Sequence, residues 1–184
     1  MGLELQNELV QLQELNALIV TSPEKYSQLS TDVLKVMCNQ KNFMGVFVTI
    51  NKPVDVLKQI LQQNGVSTEN LYFIDVISRK IGVKIVPVKN TIYLESPKGL
   101  TDISIGISQA LSAIKSQNKF VYFDSISTLL LYNEPTTVSR FAHFVTGRVH
   151  QWKAVGILVA LEKEMDEKLL SQISQFCDKT FYYQ

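Results

Sequence analysis

Short runs of β-branched and aromatic residues alternate with longer stretches of helical periodicity along nearly the whole chain, and this alternation leaves few folds open. Two strands separated by a helix of ten or more residues cannot form a tight hairpin. The helix carries the chain across one face of a sheet, and the strands then run parallel. Residues 17–20, 44–50, 71–77, 119–123, 155–161 and 180–183 read as strands. Between them lie helical patterns: Val33, Leu34 and Met37 within 30–39; Leu57, Ile60 and Leu61 after Pro53; and Leu100, Ile103, Ile107, Ala110, Leu111 and Ile114 after Gly99. Val138, Phe141, Ala142, Val145, Val149 and Trp152 continue the series behind Thr136 and Thr137 as caps, and a last helix follows Asp166. Pro53 suits a first helical turn and Asn64-Gly65 a helix stop. The expectation is an α/β protein, a three-layer α/β/α sandwich with a mostly parallel central sheet, in a single domain over residues 1–184.

Two segments stand apart from this rhythm. Residues 1–16, with Leu5, Leu9 and Leu12, read as an N-terminal amphipathic helix. Residues 78–96 break into two extended pieces, 83–86 and 91–94, joined near Lys89-Asn90, which predicts a hairpin excursion from the sheet.

Composition narrows the partners. Hydrophobic residues are 46% of the chain and charged residues 19%, enough apolar material for a packed core. Eighteen basic against seventeen acidic side chains provide no general attraction to nucleic acid or to an anionic membrane. No apolar run approaches the roughly 20 residues that cross a bilayer, and early Glu4 and Glu8 are unlike a signal peptide, so a cytoplasmic location and no membrane partner are expected. Cys38 and Cys177 are far apart and read as core thiols. His143 and His150 sit seven residues apart on one helix, without the carboxylate that a zinc-binding HExxH pattern carries, and read as surface or packing residues. Ser125 and Ser127 follow a strand, but no GxSxG elbow surrounds them.

Parallel sheets bind ligands at the carboxyl ends of their strands. The segments of interest are therefore 21–30, Asn51-Lys52-Pro53, Ser78 and Asp124-Ser125-Ile126-Ser127. The charge run from Glu162 to Lys168 reads as a solvated loop and helix start, with Lys163 as a candidate nucleotide sensor across a subunit interface.

The sequence Phe120-Val121-Tyr122-Phe123-Asp124-Ser125-Ile126-Ser127-Thr128-Leu129-Leu130 resembles the Walker B strand of the RecA superfamily, particularly its KaiC-like branch in archaea. The similarity extends to Phe47-Val48-Thr49-Ile50-Asn51-Lys52-Pro53, Asn64-Gly65-Val66, Phe73-Ile74-Asp75 and Arg140-Phe141-Ala142-His143-Phe144. It implies a RecA/KaiC-like P-loop NTPase core with ATP and magnesium as cofactors. Asp124 would then correspond to the Walker B aspartate that orders magnesium through water. Two departures from the family pattern bear on function. The Walker A sequence GxxxxGK[ST] should follow the first strand, yet residues 21–30 contain no glycine, Glu24 would oppose a phosphate, and Lys25 and Ser27 are out of Lys-Ser register. KaiC-like ATPases also carry adjacent glutamates after the second strand, where this chain has Asn51-Lys52-Pro53, and losing such a base costs about two to four powers of ten in rate.

The expectation is a catalytically inactive pseudo-ATPase with no cofactor, acting as a regulatory or protein-interaction module. Its partner would be a second copy or an active KaiC/RecA-like relative, and the terminal strand 180–183 would lie at or near a sheet edge. One alternative is a weak ATP-binding ATPase whose remodelled loop holds nucleotide through Lys25, Ser27, Asp124 and Ser125, with Asp124 on magnesium. The other is a recombinase-like nucleic-acid binder, which the near-neutral charge disfavours.

Overall fold

In the central strands, alternate side chains serve opposite layers, because a strand's residues point up and down in turn. Phe120 and Tyr122 enter one core while Val121 and Phe123 enter the other. The computed structural model describes residues 8–9, 14–40 and 42–183. Its elements are β1 (Asn16–Thr21), α1 (Tyr26–Leu34, running into a π turn at Lys35–Gln40), β2 (Met44–Thr49), α2 (Val54–Gln63), β3 (Leu71–Asp75), β4 (Thr91–Tyr93) and α3 (Leu100–Ala113). They continue as β5 (Lys119–Asp124), α4 (Pro135–Trp152), β6 (Val155–Leu161), α5 (Glu167–Ser174) and β7 (Lys179–Tyr183).

The strands form one seven-stranded sheet in the order β4-β3-β2-β5-β6-β1-β7, and each neighbouring pair is parallel. Helices α1 and α2 cover one face through Leu29, Val33, Leu57 and Leu61. Helices α3, α4 and α5 cover the other through Ile107, Leu111, Phe141, Val145 and Ile173. This is the expected three-layer sandwich. Among the described residues strand β7 lies at an edge of the sheet, as expected for 180–183.

Local signals account for several boundaries. Gly65 stands at φ +75°, its N–H donating to Gln62 O and that of Val66 to Leu61 O, the paired bonds of a Schellman stop. Asp166 caps α5 by accepting from Leu169 N at 2.8 Å. At α4, by contrast, the expected Thr136 and Thr137 caps lie inside the helix, which opens at Pro135.

The hairpin over 78–96 does not form. Strand β4 pairs with β3 in parallel, Phe73 opposite Thr91, and residues 83–88 adopt neither helix nor strand. A turn closed by Gly82 N to Arg79 O and Val83 N to Ser78 O redirects the chain directly after β3. Pro87 lacks the N–H that a hairpin ladder would need. The segment thus replaces a crossover helix. The N-terminal amphipathic helix falls largely outside the described residues; of them, Leu9 is buried and the Glu8 carboxylate pairs with Lys179.

Candidate functional site

Strands β1, β2, β5 and β6 end together at one edge of the sheet, so the segments after them converge. The connection after β1 is shorter than the sequence suggests. Only Ser22 to Lys25 separate β1 from α1, and Lys25 N closes a turn onto Ser22 O at 3.2 Å. Helix α1 therefore starts at Tyr26 rather than Ser30. Ser30 Oγ donates to Tyr26 O and Thr31 Oγ1 to Ser27 O, so the polar residues that resemble a loop satisfy themselves four residues back along the helix.

This early start carries the Tyr26 ring inward over the end of β5. Its hydroxyl donates to Asp124 Oδ1, and Asn51 Nδ2 donates to the same hydroxyl at 2.7 Å. Asn51 Oδ1 accepts from Thr128 Oγ1 at 3.0 Å, and that hydroxyl lies 2.9 Å from Ser125 Oγ. Ser125 Oγ lies 3.0 Å from Ser127 Oγ, which accepts from Leu161 N at 3.0 Å. One continuous hydrogen-bond chain thus ties the segments after β1, β2 and β5 to the end of β6.

Burial sets the charge state within it. Asp124 is 2% exposed, and desolvation raises its pKa to about 6 against the opposing effects of the Tyr26 hydrogen bond and the Lys52 charge. The same burial, with the neighbouring Asp124 charge, holds the Tyr26 phenol far above its ordinary value. Lys52 lies over the Tyr26 ring, its Nζ 5.1 Å from the centroid.

The expected site residues separate into two groups. Asp124 and Ser125 are buried members of the network, while Lys25, just before α1, and Ser27, in its first turn, are exposed. Ser27 borders a cleft of about 30 Å³ with Tyr26, Lys52 and Asp124. That is room for a water molecule, whereas small-molecule sites occupy roughly 300–1,000 Å³. The residues present do not fit a magnesium nucleotide: no glycine turns the Ser22–Lys25 backbone N–H groups toward a phosphate, and Tyr26 engages the carboxylate. The Asp124-Ser125 peptide is cis.

A second buried carboxylate has a structural task. Asp75, fully buried at the end of β3, accepts from Val54 N at 2.8 Å, Ile77 N at 3.0 Å, Ser78 N at 2.8 Å and Ser78 Oγ at 2.6 Å. It fixes the start of α2 and the turn after β3 at once. The remaining candidates are dispersed. Lys163 is exposed in the turn after β6. The His143 ring stacks on Phe176 at 4.6 Å, and His150 Nε2 lies 3.4 Å from Asn16 Nδ2. Among the described residues, no cluster of His, Cys, Asp and Glu side chains is arranged to hold a metal ion, and no helix is long and apolar enough to cross a membrane.

Sequence reasoning did not single out Tyr26, Lys52 or Thr128. The available signal was Tyr26 itself, an aromatic residue three positions before Leu29 and seven before Val33 in an otherwise polar run, which places all three on one helix face.

The fold has known relatives. An uncharacterized protein from Pyrococcus horikoshii, solved in complex with an unknown peptide, superposes with a TM-score of 0.72 at 14% identity, covering 98% of this chain and 82% of its own. A KaiC-like protein from Pyrococcus horikoshii OT3 gives 0.68 at 13% identity, covering 94% and 74%. The flagellar accessory protein FlaH from Methanocaldococcus jannaschii gives 0.61 at 14% identity, covering 99% and 77%. At such identities the likeness is one of fold, the RecA/KaiC-like α/β architecture. A search of the curated proteins finds no match to this chain. A family model does match it, from the start of β1 into β7, and the chain belongs to the family of unknown function DUF7504, matched over residues 16–182.

Proposed function

We propose that this chain is a KaiC/RecA-like pseudo-ATPase: a domain that keeps the fold, does not bind or hydrolyse ATP, and acts as a regulatory or interaction module. The observation that carries the reading is the Tyr26 hydroxyl on Asp124. In an ATPase of this fold the Walker B carboxylate faces a magnesium ion, and the turn after the first strand faces the phosphates. Here that turn is four residues long, and the next residue sets its side-chain hydroxyl on the carboxylate. Asn51-Lys52-Pro53 stands where a water-activating carboxylate would be, and Asn51 serves the network instead.

The partners that suit this reading are a second copy of the chain or an active relative. The neighbour solved with an unknown peptide adds support for a role in protein contact. The test is thermal unfolding with ATP, ADP or GTP and magnesium. A ligand at one hundred times its Kd adds about 2.7 kcal/mol to the folded state, an upward shift of several degrees for a domain this size. The expected result is no shift with any nucleotide. A shift of that size, abolished in Asp124→Ala, would overturn the proposal.

A further inference from the structure

Helices α3 and α4 lie on the same face of the sheet, and between them an open groove of about 370 Å³ is lined by Leu100, Thr101 and Ser104 of α3 and by Arg140, Phe141 and Phe144 of α4. Its α3 wall carries short side chains and its α4 wall aromatic ones. Phe144 is 51% exposed, and Ile105, one position beyond Ser104, is 50% exposed, so apolar surface continues from the groove onto its rim. The charge along the α4 wall has one sign. From Pro135 to Leu161 the chain has no Asp or Glu, while Arg140 and Arg148 stand one turn to either side of Phe144. None of the described carboxylates forms an ion pair with either arginine. Asp102, the one carboxylate of α3, sits about 160° around the helix from Ser104 and turns back beside Gly99.

The walls decide what shape of partner fits. Both are helices, whose backbone N–H and C=O groups bond within the helix, so an extended strand laid in the groove would find no backbone partners. A helix brings its own backbone bonds, and a row of its side chains at i, i+4 and i+7 fills the channel between two others. Arginines flanking an apolar channel match carboxylates flanking an apolar row, and aromatic and arginine side chains are among those enriched at protein interfaces. The chain's own helices do not supply that row. Helix α5, which follows Glu162, Glu164 and Asp166, buries Leu169 and Ile173 in the core, and Leu9 of the N-terminal segment is buried in the opposite layer.

We infer that the groove between α3 and α4 receives an acidic amphipathic helix of another protein. Apolar side chains of that helix enter between Ser104 and Phe144, and a carboxylate beside them meets Arg140. The inference rests on the interaction half of the proposed function and names its partner by chemistry. The groove uses no residue of the Tyr26–Asp124 network, so a failure to bind such a helix and a thermal shift with ATP are separate results.

The test uses a displayed library of helical peptides of about 16 residues, roughly 24 Å long, with Leu, Ile, Phe or Met at i, i+4, i+7 and i+11 and Glu, Lys, Gln or Ala elsewhere. Peptides enriched on the whole chain are measured by fluorescence anisotropy against wild type, Arg140→Glu and Thr101→Trp, the last of which fills the groove and leaves its charge alone. Both substituted residues are exposed, and circular dichroism checks folding. The expected peptides carry glutamate beside the apolar row, bind wild type, and lose at least about tenfold in affinity on each variant. Changing that glutamate to lysine restores binding to Arg140→Glu. No enrichment, enrichment of lysine, affinity that either variant leaves unchanged, or a charge swap that fails to restore binding would overturn the inference. So would sedimentation of wild type, but not of Arg140→Glu, with vesicles of phosphatidylcholine and phosphatidylserine, since the arginine would then serve an anionic membrane.

Discussion

The hydroxyl of Tyr26, the first residue of α1, donates to the carboxylate of Asp124, the last residue of β5, across 98 positions of sequence. The bond joins the turn after the first strand to the strand end that resembles a Walker B motif, and it lies inside the protein. A buried carboxylate with one strong donor is held in place, but it is not made comfortable. Burial still raises its pKa from 3.8 to about 6.

The first prediction concerns pH. A carboxyl group whose folded pKa exceeds its unfolded value binds more protons in the folded state between the two, so stability falls as pH rises from about 4 to about 6 and is level above. At about 1.36 kcal/mol per pKa unit, the penalty at neutral pH is on the order of 3 kcal/mol. Asp124→Asn removes the charge and keeps an oxygen for Tyr26. Urea unfolding should show the variant more stable than wild type at pH 7, by up to that amount, with the difference vanishing near pH 4. A variant less stable at both pH values would show that the ionised carboxylate is needed by the fold.

The second prediction takes the donor away. Tyr26→Phe keeps the ring in the core but leaves a buried carboxylate and the Asn51 amide without their shared partner. An unsatisfied buried group of this kind costs about 1–3 kcal/mol. The loss should be largest above pH 6, where Asp124 is charged, and should shrink as the group protonates in acid. In an Asp124→Asn background it should fall below its value in wild type, so a double-mutant cycle in urea measures the coupling directly. Equal losses in both backgrounds would mean that the hydroxyl acts on something other than Asp124.

Why these residues were hard to foresee is a matter of range. The layers are legible because burial on both faces writes a continuous apolar run into β5 and burial on one face writes helical spacing into α3, and both are local. The contents of the site depend on strand order. Asp124 and Asn51 are each visible as residues just beyond a strand, but their proximity follows from β2 lying beside β5, which no local pattern encodes. Tyr26 was hidden differently. Ser27, Ser30 and Thr31 compete with helix formation in isolation, so 21–30 reads as a loop. The burial of Leu29 and Val33 against the sheet overrides that preference, and the helix takes in Tyr26 with them. Residues 83–86 err the other way: their branched side chains favour a strand, yet the turn at Gly82 and the proline at 87 keep them off the sheet edge.

The third prediction tests the packing that holds the site's strands together. Strands β2 and β5 are neighbours, with Gly45 opposite Phe120, and the Phe120 ring lies over the glycine. A β-carbon at residue 45 would fall within the van der Waals envelope of that ring, in a close-packed core where Phe120 is fully buried. Gly45→Ala should therefore destabilise the protein by about 1–3 kcal/mol through overpacking, although alanine is otherwise the better strand residue. Phe120→Leu alone should also destabilise, by opening a cavity. Combined, the two changes should cost less than the sum of their separate effects, because the smaller side chain vacates the space that the new methyl group needs. Additive losses in chemical denaturation would show that the strand backbones move apart instead of the ring.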